Sequence, residues 1–156
     1  MKVKIGPYPN HRFYHNWLYK WFGYSPKQKT RIKIHDYDTW NMDDTLAPII
    51  LPMLVQLKET KHGAPYVDNA DVPKELRATK KQIEAYGKKG DVDPKHFDRW
   101  DWILDEMIYA FDCKANKDEV YMRFDTKTER DAMYKEQDRI SNGFRLFGKY
   151  YESLWD

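Results

Sequence analysis

The chain has 156 residues, the size of one ordinary domain that can bury its own hydrophobic core. Its formal net charge is only +2, and so small an excess disfavours a sequence-independent nucleic-acid binder. No apolar stretch is long enough to cross a bilayer, and the first ten residues lack the apolar run of a signal peptide. The single cysteine, Cys113, has no partner for an internal disulfide, which is typical of a reducing cytosol.

Aromatic residues make up 16% of the chain, more than one small core needs, so we expect some rings to line an interface or a stacking pocket. At the start, Met1 to Ile5 alternates apolar residues with Lys and predicts a short edge strand. A helix is then predicted from a cap at Asn10 to Gly23. One face of this helix carries a row of rings at intervals of four, namely Phe13, Trp17 and Trp21. Basic groups beside such rings are what a nucleobase with a phosphate requires, although any amphipathic helix with a heavy apolar face shows the same pattern.

The central stretch predicts a strand from Thr30 to Asp38, followed by a helix within Trp40 to His62. Asp38 or Thr39 is the expected cap of that helix. Pro48 and Pro52 lie inside its apolar pattern and predict a kink or a late helix start. After His62 comes an irregular surface arm over residues 64–92, in which we expect at most one short helix, near Pro73 to Ala85.

Two further helices are predicted in the second half of the chain. Asp93-Pro94 opens one, with an acidic face that we expect to be solvated or paired with a basic face. A capping box at Thr126 opens the other, which can run almost to Asp156. The second helix carries a heptad row of mainly apolar residues, and its length predicts packing of its far end against a second copy. Gly143 and Gly148 interrupt it and would permit close approach of another backbone or a ligand. Its polar side carries Arg139, Asn142, Arg145 and Lys149, which together with Tyr150 form a second candidate phosphate-contacting group.

Motifs of established chemistry are absent from the sequence, including phosphate-binding glycine loops, zinc-protease motifs and nucleophile elbows. His11 and His15 have the spacing of metal ligands but no obvious third ligand. Asp36 and Asp38 lie at the end of the central strand, with Asp43 shortly after it. Carboxylates that bind a metal are often found at such a place, which leaves a metal-dependent phosphodiesterase open as an alternative.

Three stretches together resemble a family of small tailed-bacteriophage proteins without an assigned function. They are PYPNHRFYHNWLYKWFG, DYDTWNMDDTLAPIILPMLVQLKETKHGAPYVD, and RWDWILDEMIYAF with RISNGFRLFGKYYESLWD. The resemblance covers most of the chain but carries no catalytic motif. It implies action in the cytoplasm of an infected bacterium, where small phage proteins often counter host defence, for example by sequestering nucleotide signals.

The sequence therefore predicts an α+β, predominantly α-helical fold with three main helices and a few short strands. We expect a single domain over residues 1–156, forming a homodimer or a larger homo-oligomer. The predicted function is non-catalytic binding and sequestration of a nucleotide-type signalling molecule, with no metal and no cofactor. The alternatives are a protein-binding module that inhibits a host factor, and the phosphodiesterase. The predicted ligand-binding residues are Tyr8, His11, Arg12, Trp17, Trp21, His62, Arg139, Asn142, Arg145 and Lys149.

Overall fold

A computed structural model describes residues 1–7, 9, 12–116 and 126–155 of the chain. It divides into two compact units, Met1–Thr45 and Leu46–Asp156, and the predicted single domain stays a prediction. The described residues form these strands and α-helices: β1 Lys2–Ile5, α1 Phe13–Phe22, β2 Thr30–Lys33, α2 Met42–Thr60, α3 Lys80–Lys89, α4 His96–Asn116 and α5 Lys127–Lys149.

The predicted α+β, mainly helical class is confirmed, but the described residues hold five α-helices rather than three main ones. The difference lies in α1 and α3, which are only ten residues each but complete helices. Each ends at a glycine in the left-handed conformation, Gly23 and Gly90, where φ is 63° and 72°. Only glycine adopts this conformation without a steric penalty, so both ends are set by sequence.

The N-terminal unit is built on an antiparallel pair of strands. Lys2 lies opposite Lys33, and the register continues to Ile5 opposite Thr30. None of the described residues in this unit is buried. A two-stranded sheet with so little apolar burial gains little stability of its own.

Helix α2 runs without interruption through Pro48 and Pro52, both of which are exposed. The predicted cap residues lie instead in a 3₁₀ turn over Asp36–Thr39. The Asp38 carboxylate accepts the His35 backbone N–H at 2.7 Å and so closes that turn rather than the helix. The helix begins at Met42, ahead of both prolines, so the late start predicted from them is wrong, and a kink stays a prediction.

The core of the C-terminal unit lies between α4 and α5, with the largest fully buried side chains at Trp100, Ile103, Leu104, Met107 and Leu146. The two helices meet closely at Gly143, where an added Cβ would lie 2.4 Å from the Glu106 carbonyl oxygen and 2.5 Å from the Ala110 Cβ. The predicted close approach is confirmed at Gly143. At Gly148, by contrast, an added Cβ would meet nothing within 4 Å.

Helix α5 ends at Lys149, earlier than predicted, and a 3₁₀ turn follows over Tyr151–Ser153. The side chain of Tyr150 accounts for this early end, since its hydroxyl donates to Asp71 at 2.8 Å and accepts the Asp68 N–H at 3.1 Å. These bonds hold Tyr150 outside helical geometry, at φ −102° and ψ 16°. Packing of this end against a second copy stays a prediction.

The predicted irregular arm contains two 3₁₀ turns, Asn69–Asp71 and Lys74–Leu76, and then α3. Its helix starts at Lys80, after the predicted Pro73, because Thr79 and Gln82 form a capping box. Val67 and Val72 of the arm are buried in the core of the C-terminal unit. In the part of the chain that the structure describes, no helix combines the length and apolarity needed to cross a bilayer.

Candidate functional site

The most unusual feature of the N-terminal unit is a face of its sheet that carries only cations. Residues two apart on a strand point to the same side, and the register places Lys2 opposite Lys33 and Lys4 opposite Arg31. Lys29 continues the row, since its carbonyl accepts the Gly6 N–H at 2.8 Å just beyond the paired residues. We call these five side chains, all exposed, the basic face.

Like charges directly opposite each other destabilise a sheet, so such a face is a cost to the free protein. Among the described residues, no carboxylate forms an ion pair with any member of the basic face. The nearby carboxylate of Asp38 has other partners, since it accepts the N-terminal amine at 2.6 Å and the His35 N–H. These bonds, the one from the amine first, hold the pKa of Asp38 below its usual value.

The charge of the whole chain hides this concentration. Residues 1–45 contain eight Lys and Arg and four Asp, a net charge of +4. Residues 46–156 contain nineteen Lys and Arg and twenty-one Asp and Glu, a net charge of −2. The near balance of the complete sequence therefore comes from two units of opposite sign.

Exposed rings on α1 form the second feature of this unit. Trp17 and Trp21, predicted as ligand-binding residues, are 56% and 68% exposed, with ring centroids 6.3 Å apart and planes tilted by 39°. Phe22 packs edge-on against Trp17 at 6.0 Å. Arg12, also predicted, precedes the helix and is exposed, and its backbone N–H donates to Nδ1 of His15 at 2.9 Å. The predicted ring row thus faces outward from the described residues rather than into a core.

The predicted cation group on α5 is held by carboxylates of the same unit. Arg139 donates to both carboxylate oxygens of Glu106, at 2.7–3.1 Å, and its guanidinium stacks 3.7 Å from the centroid of the Tyr109 ring. The Glu106 hydrogen bonds, followed by its charge, raise the pKa of Arg139 above its ordinary value, although burial acts in the other direction. Arg139 therefore fixes α5 to α4.

Arg145 and Lys149 converge on Asp71, whose side chain is 4% exposed. Arg145 donates to one oxygen of Asp71 at 2.7 Å, while Lys149 donates to the other at 2.6 Å and also pairs with Asp68. Asn142 accepts from Arg145 at 3.0 Å. Three of the predicted residues are thus brought together, but around a carboxylate of the arm.

Burial and the neighbouring Asp71 raise the pKa of Tyr150 to about 12, so this phenol stays protonated and donates to the Asp71 carboxylate at neutral pH. The group formed by Asp68, Asp71, Arg145, Lys149 and Tyr150, here called the Asp71 network, joins the arm to the end of α5. The carboxylates of this network pair with its cations, so no added ligand is needed to neutralise them.

The positions of the remaining predicted residues do not bear on ligand binding. His62 is exposed just after α2. Tyr8 and His11 lie outside the described residues. The run VYMRF at residues 120–124, which the sequence predicts to be a short strand, lies outside them as well. The described residues contain no group of three His, Cys, Asp or Glu side chains arranged to hold a metal ion.

Sequence reasoning missed the basic face, although its signal is present in the alternation of MKVKI and KTRIK. Each run by itself predicts an ordinary half-exposed strand. Only the register of the pairing places the two sets of cations opposite each other.

No protein-family model, no curated protein and no solved structure matches the chain. The resemblance to tailed-bacteriophage proteins accordingly stays an expectation from the sequence, and the functional argument rests on the geometry described above.

Proposed function

We propose that the chain is a non-catalytic bacteriophage protein that captures a nucleotide-type signalling ligand and so counters a host defence in the bacterial cytoplasm. The observation that carries the proposal is the combination, in one unit, of exposed tryptophans on α1 with sheet cations that form no ion pair with a described carboxylate. A nucleotide offers a flat base and a charged phosphate. The tryptophan rings bind the base, and the cations bind the phosphate.

The rings supply the stacking half. Base–aromatic stacking contributes about 1–3 kcal/mol per base, and the exposed faces of Trp17 and Trp21 are accessible for it. Because every base has such a face, stacking alone does not select among bases. Selection of the ligand then depends on how its phosphates meet the cations.

The cations of the C-terminal unit support a phosphate site less well than those of the N-terminal unit. A phosphate that bound Arg145 and Lys149 would compete with Asp71, whose hydrogen bonds to both are already formed. Its approach would also bring two negative groups together in a partly buried place, which is unfavourable. The proposal therefore places the ligand on the N-terminal unit, at Arg12, Trp17 and Trp21.

Isothermal titration tests the proposal against a panel of cyclic dinucleotides, cyclic trinucleotides and ADP-ribose derivatives. We expect saturable heat from at least one of them, and at least tenfold weaker binding by the double variant Trp17→Ala/Trp21→Ala. Trp155→Ala is the matched control, because Trp155 is 58% exposed and lies in the other unit. The absence of heat from every ligand would contradict the proposal, and so would an equal loss in the control.

A second candidate, a protein-binding module that inhibits a host factor, is favoured by the extent of exposed apolar surface. Phe13, Tyr37 and Trp40 are 84–89% exposed, which is unusual for large rings that serve no interface. A pull-down from bacterial lysate separates the two candidates. A stoichiometric protein retained by the wild type but lost from Trp40→Ala would support this second function in place of the first.

A further inference from the structure

We infer that the nucleotide-type ligand is a single strand of nucleic acid, whose backbone lies along the basic face while its bases stack on exposed rings of the same unit. This inference rests on the proposed function for the general class of ligand. It goes further because it states that the nucleotides belong to an unpaired strand. It also differs from the expectation based on the net charge of the whole chain, which disfavoured nucleic acid.

The first argument is the arrangement of the charges. On each strand the cations repeat every second residue, a spacing of roughly 6.7 Å, and paired cations across the strands lie roughly 5 Å apart. Lys2, Lys4, Arg31 and Lys33 thus form two short regular rows. A nucleotide with one or two phosphates can contact only part of these rows, whereas the evenly spaced phosphates of a strand can contact their whole length.

The second argument is the energetic cost of the face. Lys2 opposite Lys33 and Lys4 opposite Arg31 repel each other, and no described carboxylate forms an ion pair with any of the four. A polyanion relieves the repulsion, and it also releases its own condensed counterions on binding. A neutral β-branched residue such as Thr would suit these strand positions without the repulsion, so the retention of cations there supports an anionic partner.

The third argument selects a single strand over a duplex or a membrane surface. In a duplex the bases are already stacked on each other and offer no free face to Trp17 or Trp21, both more than half exposed. Unpaired bases can use these rings. Anionic lipid headgroups would also be attracted to these cations, but they have no fixed spacing that matches the regular rows.

The experiment is fluorescence anisotropy with labelled homothymidine and homouridine oligonucleotides of about four to sixteen residues, a range that matches known single-strand site sizes. We expect the affinity to rise with length until the rows are filled. We also expect log K to fall with log salt concentration with a slope of about −3.5, as five phosphate contacts require.

The diagnostic variant is Arg31→Glu/Lys33→Glu, which removes two of the five cations of the basic face and creates opposite-charge pairs with Lys2 and Lys4. Binding should weaken at least tenfold and the slope should become shallower by about 1.4 or more, while the sheet remains folded. Lys80→Glu/Lys81→Glu is the control, because it makes the same change in net charge in the first turn of α3, where negative charge is favoured. The control should retain near-wild-type binding.

The outcomes are separable. Equal weakening in both variants, or equal affinity for a duplex of the same length, would overturn the inference. Binding of cyclic nucleotides but not of oligonucleotides would also overturn the inference, while leaving the proposed function intact. Tighter binding to phosphatidylserine vesicles than to oligonucleotides would overturn it too, because it would assign the basic face to a membrane. Failure to bind any nucleotide or oligonucleotide would contradict both proposals.

Discussion

Asp71→Asn removes the negative charge on which Arg145, Lys149 and Tyr150 converge while it preserves the size of the side chain. Breaking a buried ion pair by removing one partner costs about 3–5 kcal/mol when the remaining charge stays buried. Here the side chains of Arg145 and Lys149 are 50% and 37% exposed, so water solvates both once they are released. The amide oxygen of Asn can also still accept the Tyr150 hydroxyl.

These considerations place the expected loss in the free energy of unfolding at about 2–3 kcal/mol, below the cost of a fully buried pair. For a chain of this size the corresponding drop in Tm is about 5–10 °C. Thermal unfolding followed by circular dichroism measures it directly. Asp68→Asn is the matched control, since Asp68 is 49% exposed and a surface pair contributes about 1 kcal/mol at most. A Tm of Asp71→Asn equal to that of the control would refute the assignment of these cations to the Asp71 network.

The same network predicts how stability depends on acid. Burial, the largest single influence on Asp71, would raise its pKa, but the hydrogen bonds from Lys149, Tyr150 and Arg145 together lower it below the ordinary 3.8. A carboxyl whose folded-state pKa is depressed stabilises the fold fully above its unfolded-state pKa, and loses that contribution as the pH falls through the folded-state pKa. Wild-type stability should therefore fall more steeply below pH 3.8 than that of Asp71→Asn. Parallel acid-unfolding curves would contradict this account.

The remaining predictions concern backbone contact and the sheet. Gly143→Ala should destabilise the chain by about 3 kcal/mol or more, because its Cβ would overlap the Glu106 backbone, and a Tm within error of wild type would contradict the described helix contact. Gly148→Ala, in open space on the same helix, should instead stabilise by roughly 0.5–1 kcal/mol, and a lower Tm would count against its placement. Arg31→Glu/Lys33→Glu should slow amide hydrogen exchange in the strands, since each new opposite-charge pair contributes roughly 0.2–1 kcal/mol, and faster exchange would refute the register.

Sequence patterns predicted the helices where local chemistry determines them. The apolar pattern of α4 and the capping box of α5 led to helices in the described positions, and Gly23 set the end of α1. What local patterns do not contain is the identity of distant partners. Asp71 and Lys149 are 78 residues apart, so the cations of α5 resembled a phosphate site until their carboxylate was located.

The same limit explains why the sequence did not predict the basic face. Each strand shows its alternation locally, but the repulsion between Lys4 and Arg31 exists only in the paired sheet. For Trp17 and Trp21 the sequence correctly predicted adjacent rings, but burial depends on what packs against a helix, and the pattern of an amphipathic helix is the same whether its face is covered or open.

The most direct test of the central claim, that the N-terminal unit carries the nucleotide-recognition surface, is ¹⁹F NMR of the 5-fluorotryptophan-labelled chain during titration with an oligothymidine and with a cyclic dinucleotide. We predict that the resonances of Trp17 and Trp21 shift or broaden with the tighter-binding ligand, while that of the fully buried Trp100 stays unchanged. Single Trp→Phe variants assign each resonance. Saturable binding that leaves the Trp17 and Trp21 resonances unmoved would contradict the account.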